Sequence, residues 1–349
     1  MTENAFNETD GRLNGMFDKV VLSRSDAIAL IYEDRRISFF ELQLYVEWMS
    51  GYFQSINLQP GQRVALLVPN SPKLVISFFG LMRAGGVAVP LDVSSEAHEL
   101  RSALLLSKAD AVITTPEYKP LLDQALAKSN DNGVSLSRLT IAIFEEDNIV
   151  TLNKAMRERC AEVDRGKMTT VNRQADRQTR LGPTNGSAHA EETVPVSDRP
   201  AVIQFSRSGK FCVHTHENLT REAGAMIERI RLTGDDHLLC LVPLSQPDFL
   251  SNFLIASIAA GGTLVLSEVP DWESVLQTLA GERITVLVSP PALLIRLAEN
   301  NVNTAFSLRW CFCAGAPLSS EIAKRLQQKL GFNVEQLTET INTGIPQQL

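Results

Sequence analysis

The sequence is poor in the residues that most often announce a function. Its five cysteines (Cys160, Cys212, Cys240, Cys311 and Cys313) form no C-x-x-C pair and show no His/Cys ligand spacing, which excludes the common zinc and redox motifs. Cys311 and Cys313 alternate within an apolar run and are expected on one face of a buried strand. Free core thiols of this kind fit a reducing compartment, so a cytoplasmic location is expected. Positive charge is also short: 33 Lys and Arg stand against 40 Asp and Glu, a net charge of −7. That balance argues against a nucleic-acid partner and requires any anionic substrate to find a local positive site. No serine–histidine–aspartate triad and no metal cluster can be picked out. The opening residues, "MTENAFNETDG", are acidic and polar, so no signal peptide is expected there.

One uncharged stretch, Phe249–Leu266 ("FLSNFLIASIAAGGTLVL"), is long enough to cross a membrane. Gly261-Gly262 divides it into a helix-like piece and a β-branched, strand-like piece. A buried helix–turn–strand is expected instead, with no membrane span.

What the chain does have is length and an internal repeat. At 349 residues with 44% hydrophobic and 21% charged residues, it reads as a globular protein of two domains or subdomains. Val64–Pro90 runs as an apolar strand, a Val-Pro break, a helix, Ala-Gly-Gly and a second strand; Leu238–Leu266 follows the same plan. Each unit continues through an amphipathic helix to another apolar strand ending in proline, at Pro116 and Pro291. Fully apolar strands alternating with helices predict mainly parallel sheets covered on both faces. The fold expected is therefore α/β with two related lobes: residues 1–163, then a polar linker or surface excursion over 164–200, then residues 201–349. Ligands of such sheets sit beyond the carboxyl ends of the strands or in the crevice between lobes.

The chemistry is expected where an apolar strand, "PAVIQF", runs into "SRSGK". Glycine and successive backbone N–H groups there could cradle phosphate, which makes Ser206, Ser208, Gly209 and Lys210 candidates. The spacing is not that of a Walker loop, so an ordinary polar strand-to-helix turn stays open as the alternative. Thr215 and Asn218 are alternative caps for the helix beginning in "THENL". His216 is expected to pack or hydrogen-bond locally rather than to do acid–base work.

Six blocks in order resemble the adenylate-forming superfamily of acyl-CoA synthetases, fatty acyl-AMP ligases and peptide-synthetase adenylation domains. The strand, Ser/Gly loop, lysine and "THENL" are one of them. "ISFFELQLYVEWMSGYFQSINLQPGQRVALLVPNSP" resembles the opening helix and first lobe, and Phe79–Asp92, "FGLMRAGGVAVPLD", is similar to a family signature of the form AGaayvPlD. "SPPALLIRLAE", "SLRWCFCAGAPLSSEIAKRLQQKLG" and "VEQLTET" follow as in the second lobe. The resemblance implies a reaction in which a small-molecule carboxylate attacks the α-phosphorus of ATP, giving acyl-AMP and pyrophosphate. A thiol or amine acceptor then takes the acyl group. CoA or a carrier protein would be that partner.

The same resemblance assigns roles. Ser206, Ser208 and Gly209 would hold phosphate, and Lys210 falls on the family lysine. Thr338 and Glu339 would contact the α-phosphate and, at Glu339, Mg²⁺. Gly315, Ala316 and Pro317, in "CAGAPL", would line the nucleotide and acyl pocket. Gln246 stands where relatives often carry histidine, and Phe249 and Phe253 would line an acyl tunnel, unless their helical spacing marks them as core.

The chain also departs from the family. The phosphate loop lacks the Thr-Thr-Gly centre and the proline, and Thr338-Glu339 lacks the preceding Tyr-Gly of a Tyr-Gly-x-Thr-Glu pattern. The sequence ends at Leu349, before the family's lysine-bearing C-terminal domain, so impaired chemistry is expected. Two readings stay open: a pseudoenzyme that binds an acyl group, a nucleotide or a carrier-protein partner, or an active ligase of which these residues are a part.

Overall fold

Two apolar strand–helix–strand runs organise the fold, as their sequences predict. The computed structural model describes residues 12–127, 139–144, 196–205, 211–246, 249–267, 271–300, 306–331 and 333–337. The first half comprises α1 (Leu13–Arg24), β1 (Ile28–Tyr32), β2 (Arg35–Ser38), α2 (Phe39–Ser55), β3 (Arg63–Leu67), α3 (Pro72–Arg83), β4 (Val87–Pro90), α4 (Ala97–Ser107), β5 (Ala111–Thr114), α5 (Lys119–Leu126) and β6 (Thr140–Ile143). The second begins with β7 (Pro200–Phe205), β8 (Phe211–Thr215), α6 (His216–Ile230) and β9 (His237–Cys240). A π-helical segment, Leu250–Ile255, then runs into α7 (Ala256–Ala259) and β10 (Thr263–Leu266). After these come α8 (Trp272–Gly281), β11 (Val286–Ser289), α9 (Pro291–Glu299), β12 (Trp310–Ala314), α10 (Ser320–Leu330) and β13 (Asn333–Leu337).

The strands form two sheets, ordered β6-β5-β3-β4-β7-β8 and β13-β12-β11-β9-β10-β1-β2. All neighbours are parallel except the hairpins β1–β2 and β7–β8, which are antiparallel. Both sheets carry helices. Leu100 and Leu104 of α4 and Leu122 of α5 pack on Ala65, Val89 and Val112 of the six-stranded sheet. Val275 and Leu279 of α8, Leu294 and Leu297 of α9, and Leu326 of α10 pack on Leu239, Leu287, Cys311 and Cys313 of the seven-stranded one. Cys311 and Cys313 thus share a buried face, as their alternation predicts.

The strand pairing crosses the boundary between the ranges 1–163 and 201–349. Hairpin β1–β2 joins the second half's sheet, with Leu30 opposite Leu264. Hairpin β7–β8 joins the first half's, with Val202 opposite Ala88. The physical reason is an edge: β4 and β10, each entered from a Gly-Gly turn, would otherwise leave a row of backbone donors and acceptors unpaired. The strand leading to Ser206 therefore belongs to the six-stranded sheet. The 164–200 linker lies outside the described residues as far as 195; its end is a single helical turn, Val196–Asp198, and the first residue of β7.

Local chemistry explains the element ends. Ser38 and Glu41 close a capping box on α2. Thr215, rather than Asn218, caps α6 by accepting from Asn218 N–H at 3.2 Å. The repeated Ala-Gly-Gly is a repeated turn. Gly85 and Gly261 have φ of +78° and +71°, which a side chain would strain. A Cβ on Gly86 would meet Leu81 Cδ1 at 2.3 Å, and one on Gly262 would meet the Asp236 and Thr233 carbonyl oxygens at 3.0 and 3.1 Å. Phe249–Leu266 is the expected buried helix–turn–strand. Among the described residues no helix is long and apolar enough to cross a membrane.

Candidate functional site

Parallel strands present their carboxyl ends on one side, and the candidate residues follow those ends. Beyond β3 lies Asn70, beyond β4 Asp92, at the end of β7 Gln204, beyond β9 the loop Val242–Gln246, and beyond β12 the turn Gly315–Leu318. Polar side chains hold these segments together. Asn70, buried, donates from Nδ2 to Val242 O at 2.7 Å and accepts from Leu244 N–H at Oδ1, 2.9 Å. Asp92 accepts the N–H and Oγ–H of Ser94 on Oδ1, at 2.9 and 2.7 Å, and Gln246 Nε2 on Oδ2, at 3.3 Å. Gln204 donates from Nε2 to the Gln246 carbonyl at 3.1 Å. Gln246 is therefore held at both its backbone and its side chain by the six-stranded sheet.

Phe249 and Phe253 follow directly. Their ring centroids are 6.0 Å apart, and Phe253 stands 5.3 Å from Phe312 of β12. Phe253 is fully buried and Phe249 nearly so, which puts Phe253 in the core between the π-helical segment and the sheet. The π-helical geometry at Leu250–Ile255 is uncommon in soluble helices and often accompanies functional sites.

At the end of β12 the "CAGAPL" turn is open. Gly315 has φ +94° and nothing within 4 Å of where a Cβ would stand; Gly315, Ala316 and Pro317 are all exposed. Its inner side is filled by Gln336 of β13, whose Oε1 accepts from Leu318 N–H at 2.9 Å. Gln336 Nε2 donates to the carbonyls of Cys313 and Ala316, each at 3.3 Å. The neighbouring Glu335 forms an ion pair with Arg229 of α6.

The thiols here are not poised as nucleophiles. Burial pushes Cys313 upward, Cys311 further, and Cys240 up to about 12. His214, on β8, is buried with its Nδ1 3.8 Å from Glu222 of α6. Desolvation lowers its pKa, with the Glu222 carboxylate opposing. His216 is buried at the first position of α6.

Of the residues expected from sequence, Gln246, Phe249, Phe253, Gly315, Ala316 and Pro317 are described. Ser206, Ser208, Gly209 and Lys210, and Thr338 and Glu339, lie outside the described residues. Their flanking strands do not: β7 ends at Phe205 and β13 at Leu337. Among the described residues no group of three or more His, Cys, Asp or Glu could hold a metal ion. Sequence reading missed Asn70, Asp92, Gln204 and Gln336. Asn70 and Asp92 lie within quoted blocks, in Pro-Asn-Ser-Pro and Val-Pro-Leu-Asp respectively, but nothing local marks their partners.

The model of the AMP-binding enzyme family matches residues 17–345. A feruloyl-CoA synthase of Amycolatopsis is 26% identical over 310 residues, covering 88% of this chain and 55% of that protein; the chain spans about half the length of the curated relatives it matches. Among solved structures, a fatty acyl CoA synthetase of Mycobacterium tuberculosis superposes with a TM-score of 0.72 at 21% identity, over 93% of this chain and 58% of that one. ATP-bound MatB of Rhodopseudomonas palustris gives 0.71 at 20% identity, over 95% and 61%. At such identities the structural likeness speaks for the fold.

Proposed function

The chain belongs to the AMP-binding enzyme family, and from that premise we propose that it takes part in ATP-dependent activation of a small carboxylic acid, with CoA as the acceptor. The observation that carries this reading is topological. Strands β7, β12 and β13 run toward Ser206–Lys210, Gly315–Leu318 and Thr338–Glu339, and all three segments leave from carboxyl ends, where parallel sheets bind ligands. That feruloyl-CoA synthase is among the relatives favours CoA as the acceptor.

In this reading a carboxylate oxygen of the substrate forms a bond to the α-phosphorus of ATP while the bond to pyrophosphate breaks. The thiol of CoA then displaces AMP from the acyl carbon. Ser206, Ser208 and Gly209 offer hydrogen-bond donors to the phosphates, and Lys210 supplies local positive charge against the overall field of a chain of net charge −7. The open face at Gly315–Pro317 suits a flat base or an acyl group lying against backbone. Thr338 and Glu339 would meet the α-phosphate. Mg²⁺ entering with the phosphates needs only one or two protein carboxylates, a demand that Glu339 alone satisfies without the three-ligand cluster that the described residues lack. Bound there, it would neutralise charge developing on the phosphates.

Exchange of labelled pyrophosphate into ATP, measured across a panel of aromatic and aliphatic acids, tests the proposal. Exchange that requires both acid and Mg²⁺, and that Glu339→Gln reduces by at least about a hundredfold, is the expected result. No exchange with any acid, together with no ATP or AMP binding by calorimetry, would overturn it in favour of a non-catalytic module for an acyl group or a carrier protein.

A further inference from the structure

Strand β6 is a sheet edge without the usual guards. It stands at the end of the six-stranded sheet and pairs with β5 alone among the described residues. Thr140 N–H donates to Asp110 O at 3.1 Å and Phe144 N–H to Thr114 O at 2.7 Å. The backbone period of two then turns the N–H and C=O of Ile141 and Ile143 away from β5, toward the open side. Edge strands are ordinarily protected by charge, proline or a bulge. Of the other edges, β2 carries Arg35 and Arg36, β13 carries Glu335, and β8 runs directly into α6. β6 reads Thr-Ile-Ala-Ile and pairs in an unbroken register. Its two isoleucines are each 38% exposed, whereas Ala142 between them is buried. Ile141 stands beside Val112, which packs against α4 and α5, so both isoleucines lie on that face of the sheet. The strand is also held firmly. Phe144, buried just past its end, packs on Trp48 of α2 with ring centroids 6.0 Å apart, so a partner strand would meet an edge already ordered.

We propose that β6 is the docking edge for a second copy of this chain, paired antiparallel about a two-fold axis at Ala142. Ile-Ala-Ile reads the same in both directions, as a self-complementary contact requires. With Ala142 opposite its own counterpart, Ile141 of one copy faces Ile143 of the second copy. These are the residues whose N–H and C=O point outward, so each facing pair exchanges both of its backbone bonds. Their side chains share one face of the sheet and meet there as an apolar cross-strand cluster. The six-stranded sheet of one copy thereby continues into that of the other. The contact is small, so the dimer is weak and its population depends on concentration. It is independent of the acid-activating chemistry.

The test is sedimentation velocity of the full 349-residue chain over a concentration series, beside two double variants at the exposed positions. Ile141→Lys/Ile143→Lys sets lysine against lysine across the pair. Ile141→Lys/Ile143→Glu sets lysine against glutamate in the proposed register, and lysine against lysine if residue 141 faced itself. The expected result is a parent that dimerises as concentration rises and a lysine–lysine variant whose dimer Kd is raised at least about a hundredfold. The lysine–glutamate variant should return to within about tenfold of the parent. Melting temperatures taken at a dilution where all three are monomeric should agree, because both positions are exposed. A parent that stays monomeric throughout the series would overturn the proposal, the edge then being free or occupied within one chain. A lysine–lysine variant that dimerises as the parent does would put the contact on another surface and overturn it too. A lysine–glutamate variant as monomeric as the lysine–lysine one would refute the pairing of Ile141 with Ile143.

Discussion

Asn70 donates its side-chain amide to the Val242 carbonyl at 2.7 Å, and so fastens the loop after β3 in one sheet to the loop after β9 in the other. The same side chain accepts from Leu244 N–H. Replacing Asn70 by leucine leaves a carbonyl and an N–H without this partner at a buried position. A loss of about 2–3 kcal/mol in unfolding free energy is expected, measured by urea denaturation. A loss below about 0.5 kcal/mol, the range of ordinary surface substitutions, would show that water replaces the side chain.

The two Gly-Gly turns offer a controlled comparison. A methyl group on Gly86 is opposed chiefly by Leu81 Cδ1, the end of a side chain that can rotate, whereas one on Gly262 is opposed by the Asp236 and Thr233 carbonyl oxygens. Overpacking against backbone cannot relax as far. Gly262→Ala is therefore expected to destabilise by about 2–3 kcal/mol and Gly86→Ala by about half as much, both read from denaturant midpoints. The reverse order would refute this account of the turn.

Asp236 links strand, turn and helix. It accepts Arg309 Nε and Nη2 at 2.9 and 2.7 Å, Thr285 Oγ1 at 2.7 Å and Thr233 N–H at 2.7 Å, while Arg309 also donates to the Ile230 carbonyl. Burial works against the charge, but the hydrogen bonds from Arg309, Thr285 and Thr233 and the Arg309 charge outweigh it, so the carboxyl sits below its usual value. The unfolded chain then binds the proton more readily. The stabilisation is complete above the ordinary pKa of 3.8 and disappears as pH falls through the folded value. Arg309→Met is expected to cost about 2 kcal/mol at neutral pH, less than for a fully enclosed pair because the guanidinium is partly exposed. Melting curves from pH 7 down to pH 3 should show the variant losing less than the parent in the acid range.

His214 titrates with the opposite chemistry and the same consequence. Its desolvated ring is harder to protonate than in the unfolded chain, despite Glu222 nearby. Stability is therefore constant above the ordinary value of 6.5 and declines as pH falls below it toward the folded value. Both carboxylate oxygens of Glu222 are buried with no hydrogen-bond partner among the described residues. His214→Leu should flatten the melting profile below pH 6.5. Glu222→Gln should raise stability at pH 7 by about 1 kcal/mol by removing an uncompensated charge. An acid limb unchanged in His214→Leu would assign that limb to other groups.

What the sequence revealed was what depends on near neighbours. Ala-Gly-Gly can be recognised because a positive φ and a close approach both fall within one turn, and Thr215 can be proposed as a cap because its partner is Asn218. The alternation of Cys311 and Cys313 needs only the period of a strand. Partners far along the chain stayed hidden. Asn70 meets Val242 across 172 positions, and nothing near Leu30 says that it will face Leu264. Helical spacing left Phe253 divided between core and pocket, because both demand an apolar face; in the fold it is fully buried against the ring of Phe312. Gln336 stood out only as a residue beside the place where Tyr-Gly is lacking, and a missing pair does not say what its neighbour's side chain touches.

The exchanged hairpins make the two halves of this chain mutually dependent. Cleaved anywhere between Phe144 and Val196, the protein would present two fragments that each hold a strand pair the other requires, β1–β2 for one sheet and β7–β8 for the other. Neither would close its own sheet, and each would carry a raw edge along β4 or β10. Such fragments would complement each other. A ligand site assembled from strand ends of both sheets would then exist only while the fragments stay associated, so any binding regained on mixing would report reassembly of the fold itself.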